Sequence, residues 1–226
     1  MADAPRVRFL RHHEEDDPGL VGAAFARLGY ACELMMVDDA TPPIDLDGVD
    51  VLSILGSKWS VYDHDAVGGW ISTELDAIGA ADAADVPVLG ICFGAQALCT
   101  ALGGAVEPMG SLELGWVDLP AHEAGVPAGP WFEYHFDRCR PPDGAEVLVA
   151  NERCVQAFRV GRHLGVQFHP EIDAGQLGRW YDAGARVEVA ASGLDPAELL
   201  ARTAALEADA AARTDRLVEA FLAAAR

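Results

Sequence analysis

The amino-acid sequence predicts an α/β fold in which helices cover both faces of a mostly parallel sheet. Short apolar runs alternate with segments whose apolar residues recur at helical spacing. The runs are apolar throughout, as expected for strands that are buried on both faces. The chain has 226 residues, 51% of them hydrophobic, and shows no linker. This is sufficient for one ordinary core. We therefore expect one domain over residues 1–226, with a core at about 7–172 and a helical extension at about 173–226.

The first half of the chain is expected to run strand, helix, strand, strand, helix, strand, helix. Gly29 is expected to end the first helix, and Gly103 with Gly104 the last, because glycine commonly follows a helix terminus. Such alternation predicts parallel strands in one sheet. The expected strands are 7–10, 32–37, 49–55 and 86–91, and the expected helices are 19–30, 67–84 and 93–102.

The second half begins with closely spaced strands and ends in helices. Residues 120–130 are rich in Gly, Pro and Ala and predict a surface loop. Asp195 and Pro196 open a long Ala-rich helix with a capping aspartate and a first-turn proline. This helix could pack on the sheet or form a subunit contact. A shorter helix is expected at 177–185, and strands that extend the sheet on one side are expected at 112–119, 146–150, 154–159 and 163–168.

The charge of the chain argues against two classes of partner. Its 36 acidic residues outnumber its 16 basic residues and give a formal net charge of −20. Nucleic acid and anionic membrane surfaces would both be repelled by this charge. We therefore expect neither among its partners.

Cysteine usage and the absence of a targeting pattern predict a cytoplasmic protein. The five cysteines are irregularly spaced and form no C-x-x-C pair, which indicates reduced thiols. The first 17 residues lack the basic-then-apolar pattern of a secretory signal. No apolar run approaches the roughly 20 residues that span a bilayer.

The segment Gly90-Ile91-Cys92-Phe93-Gly94 stands where an apolar strand passes into a helix. Glycines on both sides of a cysteine permit the tight turn of a nucleophile elbow. The turn would expose the sulfur at the carboxyl end of the sheet, and the N–H groups of the first helical turn favour a thiolate. The Phe93 N–H would point to the oxyanion of a tetrahedral intermediate. Cys92 is therefore the candidate nucleophile.

A nucleophilic cysteine needs a base, and His169 is the candidate among seven histidines. It follows an apolar strand and precedes Pro170, which blocks continuation of that strand. Glu171 lies two residues on and points the same way in an extended segment, so its carboxylate can orient the imidazole. The residues predict a triad of Cys92, His169 and Glu171.

Three separated strings resemble the class I, triad-type glutamine amidotransferases, most closely the stand-alone proteins similar to the glutaminase domain of GMP synthase. They are GSKWSVYD at 56–63, GICFGAQAL at 90–98 and QAFRVGRHLGVQFHPEI at 156–172. The resemblance covers roughly residues 7–172. It implies a flavodoxin-type, Rossmann-like domain. It also implies a γ-glutamyl thioester on Cys92 that is hydrolysed to glutamate after ammonia leaves.

The resemblance also implies an oxyanion loop and a substrate pocket. Gln96 matches a glutamine that binds the backbone of the substrate amino acid. Gly56 and Ser57 match a Gly-Gly pair whose second member donates an N–H to the oxyanion; serine resists a positive φ, which could alter this loop. The segment 134–137 matches one that lines the glutamine pocket.

Within that segment the resemblance assigns pocket positions to Tyr134, His135 and Phe136, and it gives the role of base to His169, not His135. Phe136 stands where the family often has glycine and would narrow the pocket. The substrate is therefore expected to be glutamine or a related γ-glutamyl compound.

The sequence predicts neither a metal nor a cofactor. The run HHEEDD at 12–17 contains metal-ligating residue types, but adjacent side chains splay apart, so we expect a solvated loop at the rim of the active-site mouth. No phosphate-binding loop of the G-x-x-x-x-G-K type occurs, and we expect no ATP site.

Three functions stay open at this point. The first is an amidase that supplies ammonia to a separate synthetase, since nothing after Glu171 resembles an acceptor or ATP domain. The second is a self-sufficient hydrolase of γ-glutamyl amides or peptides, which Ser57 and Phe136 favour. The third is a binding or regulatory subunit with an impaired oxyanion loop, against which the intact Cys92 and His169 argue.

Overall fold

One large, mostly parallel sheet forms the centre of the computed structural model, which describes residues 4–226. The strands are β1 (Arg6–Arg11), β2 (Ala31–Met36), β3 (Val51–Ile54), β4 (Val88–Ile91), β5 (Ala105–Leu119), β6 (Gly129–Arg140), β7 (Glu146–Ala150), β8 (Val155–Val160) and β9 (His163–Val166). Seven of them form a sheet in the order β2-β1-β3-β4-β9-β8-β7. The pairs from β2 to β9 are parallel, whereas β8 and β7 add on antiparallel. The predicted fold class is confirmed.

Helices cover both faces of this sheet. They are α1 (Gly19–Arg27), α2 (His64–Val67), α3 (Ile71–Ala83), α4 (Phe93–Ala101), α5 (Ala174–Trp180), α6 (Arg186–Ala191) and α7 (Pro196–Ala224), with a π-helical segment at Tyr181–Ala185 between α5 and α6. Phe9 and Leu10, neighbours in β1, point to opposite faces. Phe9 packs in a core with α1 and α7, and Leu10 in a core with α3 and α4.

The prediction for residues 112–119 is wrong in one respect. These residues form a strand, but β5 begins at Ala105 and pairs antiparallel with β6 in a separate two-stranded sheet, so it does not extend the large one. The sequence pattern did not predict β6. Its buried positions include Glu133, His135 and Asp137, while Phe136 is exposed, so the usual relation between polarity and burial is reversed.

Two helical predictions also need correction. The expected helix 67–84 is α3, which begins only at Ile71, because the chain turns at Gly68 and Gly69 after the short helix α2 has ended at Val67; a Cβ on Gly69 would lie 2.1 Å from Asp39 Oδ1. The expected helix 177–185 is part of a longer helical stretch from Ala174 to Ala191, with a kink at Gly184, where φ is 118°.

The long helix α7 buries its apolar side within the same chain. Leu217, Val218 and Phe221 join the core that contains Phe9 and Phe25. Of the two uses expected for this helix, packing on the domain is therefore the one observed. No helix of residues 4–226 is long and apolar enough to cross a membrane. All five cysteines are free thiols.

Candidate active site

Cys92 lies in a strained turn between β4 and α4. Its φ of 51° and ψ of −106° place it among only two non-glycine residues of 4–226 with a positive φ. Both flanking glycines are needed for close backbone contacts. A Cβ on Gly90 would lie 2.4 Å from the Gly94 carbonyl oxygen, and one on Gly94 would lie 2.2 Å from the Ile54 oxygen. The geometry is that of a nucleophile elbow.

His169 approaches Cys92 because β4 and β9 are neighbours. The Cys92 N–H donates to the Val166 carbonyl (2.8 Å), and the chain continues from Val166 to His169, whose own N–H donates to Phe132 (2.7 Å). His169 Nδ1 and Glu171 Oε1 are 2.7 Å apart, and both side chains are buried. This distance is typical of a short charge-assisted hydrogen bond.

The second nitrogen of His169 is left for the thiol. Burial alone lowers the pKa of His169, but the charges of Glu171 and Cys92 and hydrogen bonds to both outweigh it and raise the pKa well above its ordinary value. Apart from Cys92, no group of residues 4–226 partners Nε2. Gly56 lies against both side chains: a Cβ there would be 2.9 Å from His169 Cε1 and 3.7 Å from Cys92 Cβ.

A buried histidine holds the loop at Gly56 and Ser57 from behind. His12 Nδ1 lies 3.3 Å from the Gly56 carbonyl oxygen, and His12 Nε2 lies 2.8 Å from Glu74 Oε2. No peptide bond of residues 4–226 is cis. In a trans peptide the C=O and the next N–H point in opposite directions, so the Ser57 N–H points away from His12. The expected difficulty with a positive φ at Ser57 does not arise, because neither residue adopts one.

These residues border a cavity of about 230 Å³. Every predicted site residue lines it except Phe93 and Glu171, which lie behind the wall. The lining residues are His13, Glu15, Asp16, Gly56, Ser57, Lys58, Trp59, Ser60, Cys92, Gln96, Tyr134, His135, Phe136, Asp137, His169, Trp180, Ala183, Ala185 and Glu188. The lining combines aromatic side chains with many polar and charged groups, and a concave site with convergent polar groups is typical of small-molecule binding.

The predicted pocket residues take different positions in this cavity. Gln96 is buried, and its Nε2 lies 3.4 Å from Gln167 Oε1. The Tyr134 carbonyl faces the Cys92 thiol at 3.8 Å, and the Tyr134 hydroxyl donates to Glu188 Oε2 at 2.6 Å. Phe136 is 51% exposed, so it lies at the rim rather than filling the interior.

His135 does not offer a nitrogen to the thiol. Its Nδ1 donates to the Asp137 carbonyl oxygen at 2.8 Å, and its Nε2 lies 3.2 Å from Glu113 Oε2. Nδ1 is thus bonded to the backbone, and Nε2 faces a carboxylate rather than the thiol. This agrees with the assignment of the base to His169.

The expectation of a solvated loop at residues 12–17 is wrong for two side chains. His12 is fully buried against Glu74, and its ring contacts Trp70 and Phe93 with centroid distances of 4.8 Å. Asp16 is half-buried in the cavity wall. The expected position at the mouth holds, since His13, Glu15 and Asp16 line the cavity.

Several cavity residues were given no role by the sequence. Trp59 packs on His13, and Trp180 packs edge-on against His169 with centroids 5.1 Å apart. Asp137 accepts hydrogen bonds from the Ser60 and Tyr62 hydroxyls. Asp137 belongs to the segment 134–137 that the resemblance assigned to the pocket, and its spacing of two residues from His135 on β6 places both on one face of the strand.

Comparisons with known proteins identify the family and the fold of the chain. Residues 20–181 match the family model described as glutamine amidotransferase class-I. The glutamine-hydrolyzing GMP synthase of Porphyromonas gingivalis is 34% identical over 164 residues, covering 68% of this chain and 30% of that protein. The enzyme of the same name from Thermus thermophilus is 38% identical over 96 residues, covering 38% of this chain and 19% of that protein. The chain thus spans less than a third of the length of these relatives.

Two solved structures share the fold over nearly the whole chain. A glutamine amidotransferase from Thermotoga maritima superposes with a TM-score of 0.85 at 24% identity, covering 98% of this chain and 99% of that one. A glutamine amido transferase from Methylobacillus flagellatus gives 0.84 at 23% identity, covering 99% and 96%. At these identities the likeness shows the fold alone.

Proposed function

The chain belongs to the glutamine amidotransferase class-I family, and we propose that it hydrolyses the side-chain amide of glutamine through a thioester on Cys92. One observation carries the proposal: a cysteine in a strained elbow shares a cavity wall with His169, whose other nitrogen is held by Glu171. Nucleophile, base and orienting carboxylate are the parts that such an acyl transfer needs.

In the proposed first step, His169 Nε2 takes the thiol proton and the sulfur attacks the amide carbon. Glu171 accepts the Nδ1–H hydrogen bond and stabilises the imidazolium. The C–N bond of the tetrahedral intermediate then breaks, and the same proton passes to the departing nitrogen, which leaves as ammonia. Water hydrolyses the thioester, with His169 as base, to give glutamate and the free thiol. The sum is glutamine plus water to glutamate plus ammonia.

The oxyanion of the intermediate would be stabilised by backbone N–H groups of Phe93 and Ser57. Phe93 begins α4, where N–H groups lack partners within the helix. The Ser57 N–H is directed by the bond between His12 and the preceding carbonyl. We therefore assign His12 and Glu74 a positioning role that the sequence did not reveal.

We infer further that the ammonia serves a synthetase. The GMP synthase relatives are named as glutamine-hydrolyzing, and the region similar to this chain makes up 30% of the P. gingivalis protein. By analogy with the rest of these longer relatives, the proposed partner of this chain is a separate catalytic unit that accepts ammonia. Its stimulation of glutaminase activity would support the inference.

One observation favours a second candidate, a self-sufficient hydrolase of γ-glutamyl amides. Trp59, Phe136 and Trp180 place aromatic surface around the cavity, which would suit an amine larger than ammonia. Turnover of γ-glutamyl amides in preference to glutamine would support this candidate.

The test measures ammonia released from glutamine and amine released from γ-glutamyl amides. Cys92→Ala is expected to reduce turnover to background, because the thioester cannot form. Cys99→Ala is the matched control, since Cys99 is also buried but does not line the cavity; it is expected to keep its activity. Near-normal turnover by Cys92→Ala, with its fold verified by circular dichroism, would exclude the proposed nucleophile.

A further inference from the structure

A second cluster of polar side chains lies beside the cavity, where β5, β6 and the start of β8 meet. It consists of Glu113 from β5, Glu133 and His135 from β6, and Cys154, and all four side chains are buried. Ligand atoms of Glu113, His135 and Cys154 lie within 4.8 Å of one another. His135 Nε2 is 3.2 Å from Oε2 of Glu113 and 3.2 Å from Oε2 of Glu133. The cluster thus brings one oxygen, one nitrogen and one sulfur together, and an oxygen of Glu133 lies beside the nitrogen.

The hydrogen bond at the other nitrogen determines which tautomer His135 adopts. Because Nδ1 lies 2.8 Å from a carbonyl oxygen, which can only accept, Nδ1 carries a proton. A neutral His135 therefore turns the lone pair of Nε2 toward the carboxylates. Histidines that bind metals commonly donate their other N–H to a backbone carbonyl in this way.

Glu133 lacks the partners that a buried carboxylate requires. Its side chain is 0% exposed, and neither oxygen accepts a hydrogen bond from any residue of 4–226. The distance from Glu133 Oε2 to His135 Nε2 is 3.2 Å, which is beyond the roughly 2.7–2.9 Å of charge-assisted bonds. A cation at this position would satisfy all the acceptors together.

We propose that Glu113, Glu133, His135 and Cys154 bind a divalent transition-metal ion of the Zn²⁺ class. Thiolate, imidazole and carboxylate are the ligands that Zn²⁺ takes in proteins, and four protein ligands make a closed structural site. Mg²⁺ and Ca²⁺ prefer all-oxygen sites, so the sulfur and nitrogen exclude them. Two carboxylates and a thiolate balance the charge of a dication together with a nearby arginine, Arg153, whose Nε lies 3.9 Å from Glu113.

Neighbouring amides orient the proposed ligands. Asn151 Nδ2 donates to Glu113 Oε1 at 2.9 Å, and Gln156 Nε2 donates to Glu113 Oε2 at 3.0 Å. Gln156 Nε2 also lies 3.4 Å from Cys154 Sγ. Such outer contacts hold metal ligands in place. The ion would connect the two-stranded sheet to the large sheet and support the cavity wall formed by the backbone next to His135.

The test titrates metal-free protein with Co²⁺, a spectroscopic probe for Zn²⁺ sites. It uses the Cys92→Ala background, so that the cavity thiol cannot contribute. One equivalent of Co²⁺ is expected to produce the visible bands of a four-coordinate ion and a near-ultraviolet thiolate-to-cobalt band. Zn²⁺ is expected to displace Co²⁺ and to raise the melting temperature.

Two variants and one control locate the site within the chain. Cys154→Ser should abolish the thiolate band, whereas Cys99→Ser, a buried thiol elsewhere, should retain it. Glu133→Gln, which keeps the side-chain volume, should weaken Zn²⁺ binding by at least about tenfold. Absence of saturable binding near one equivalent, or an undiminished thiolate band in Cys154→Ser, would overturn the proposal. Metal analysis of wild-type protein purified without chelators is a second measurement that needs no variant.

Discussion

Asp16 is a carboxyl group that folding places in an unfavourable environment. Burial in the cavity wall raises its pKa from an ordinary 3.8 to about 6; the nearby His12 opposes this shift and the charge of Glu171 adds to it. The ionised form of Asp16 is therefore less stable in the folded state than in the unfolded chain. The stability that this group contributes is present below pH 3.8 and is lost as the pH rises through about 6.

We expect Asp16→Asn to stabilise the protein at pH 7, because an amide has no charge to desolvate. The free energy of unfolding should increase by roughly 1–3 kcal/mol at pH 7, and the gain should be small at pH 4. Urea unfolding at both pH values measures it, with exposed Asp17→Asn as control. An equal gain at pH 4 and pH 7 would show that desolvation of the charge is not the cause.

His12 is expected to act on the reaction through the peptide between Gly56 and Ser57. Both of its partners, the Gly56 carbonyl and Glu74, are acceptors, so two hydrogen bonds require the imidazolium. Burial lowers the pKa of His12, but the charge of Glu74 and its hydrogen bond outweigh this and raise the pKa above 6.5. The doubly bonded form is therefore present at low pH and is lost as the pH rises through the raised pKa.

Glu74→Gln keeps a hydrogen-bond partner but removes the charge that maintains the imidazolium. We expect kcat for glutamine to fall by roughly tenfold to a hundredfold. This fall is at most as large as the one that removal of an oxyanion-hole donor causes. KM should change little, and the alkaline fall in kcat should begin at lower pH. Steady-state kinetics across pH will measure both. An unchanged kcat and pH profile would remove His12 and Glu74 from the proposed machinery.

At the scale of elements, the turn from β4 to α4 depends on backbone contacts that only glycine permits. Gly94→Ala would place a Cβ 2.2 Å from the Ile54 oxygen, so β3, β4 or α4 must move. We expect a loss of roughly 1–3 kcal/mol of stability, as for overpacking in a core, and a larger proportional loss of activity, because Cys92 shifts.

Gly79→Ala is the matched control for this prediction. Gly79 lies in α3, and a Cβ there would contact nothing within 4 Å. Alanine should stabilise that helix by up to about 1 kcal/mol. Thermal unfolding and glutaminase assays compare the two variants. If Gly94→Ala behaved like Gly79→Ala, the close packing of the elbow would be refuted.

At the scale of the whole molecule, α7 is a structural part of the domain. Phe221 is 1% exposed and packs with Phe25 and Leu217. We expect Phe221→Ala to cost about 3–5 kcal/mol, as for large core truncations. Glu219→Ala, on the exposed side of the same turn, should change stability by less than about 0.5 kcal/mol. Urea unfolding distinguishes them, and a small loss for Phe221→Ala would mean that α7 is peripheral.

Local sequence was sufficient for the features that depend on neighbouring residues. The elbow at Cys92 was predicted because its two glycines and the change from apolar strand to helix lie within five residues. The pairing of His169 with Glu171 was predicted because residues two apart share a side in extended chain. The parallel sheet was predicted because its strands are apolar on both faces, and the family followed from three separated strings.

The burial and the partners of several polar side chains depended on contacts between distant segments, because burial depends on what packs against a residue. His12 reads as part of a charged loop, yet Glu74, 62 residues later, pairs with it inside the core. The sequence assigned His135 to the pocket and gave Glu133 no position, yet both are buried in β6, and His135 lies beside Glu113 and Cys154. No spacing rule links such positions. The candidate nucleophile and base could therefore be predicted from the sequence, whereas the positioning residues His12 and Glu74 could be identified only from the tertiary structure.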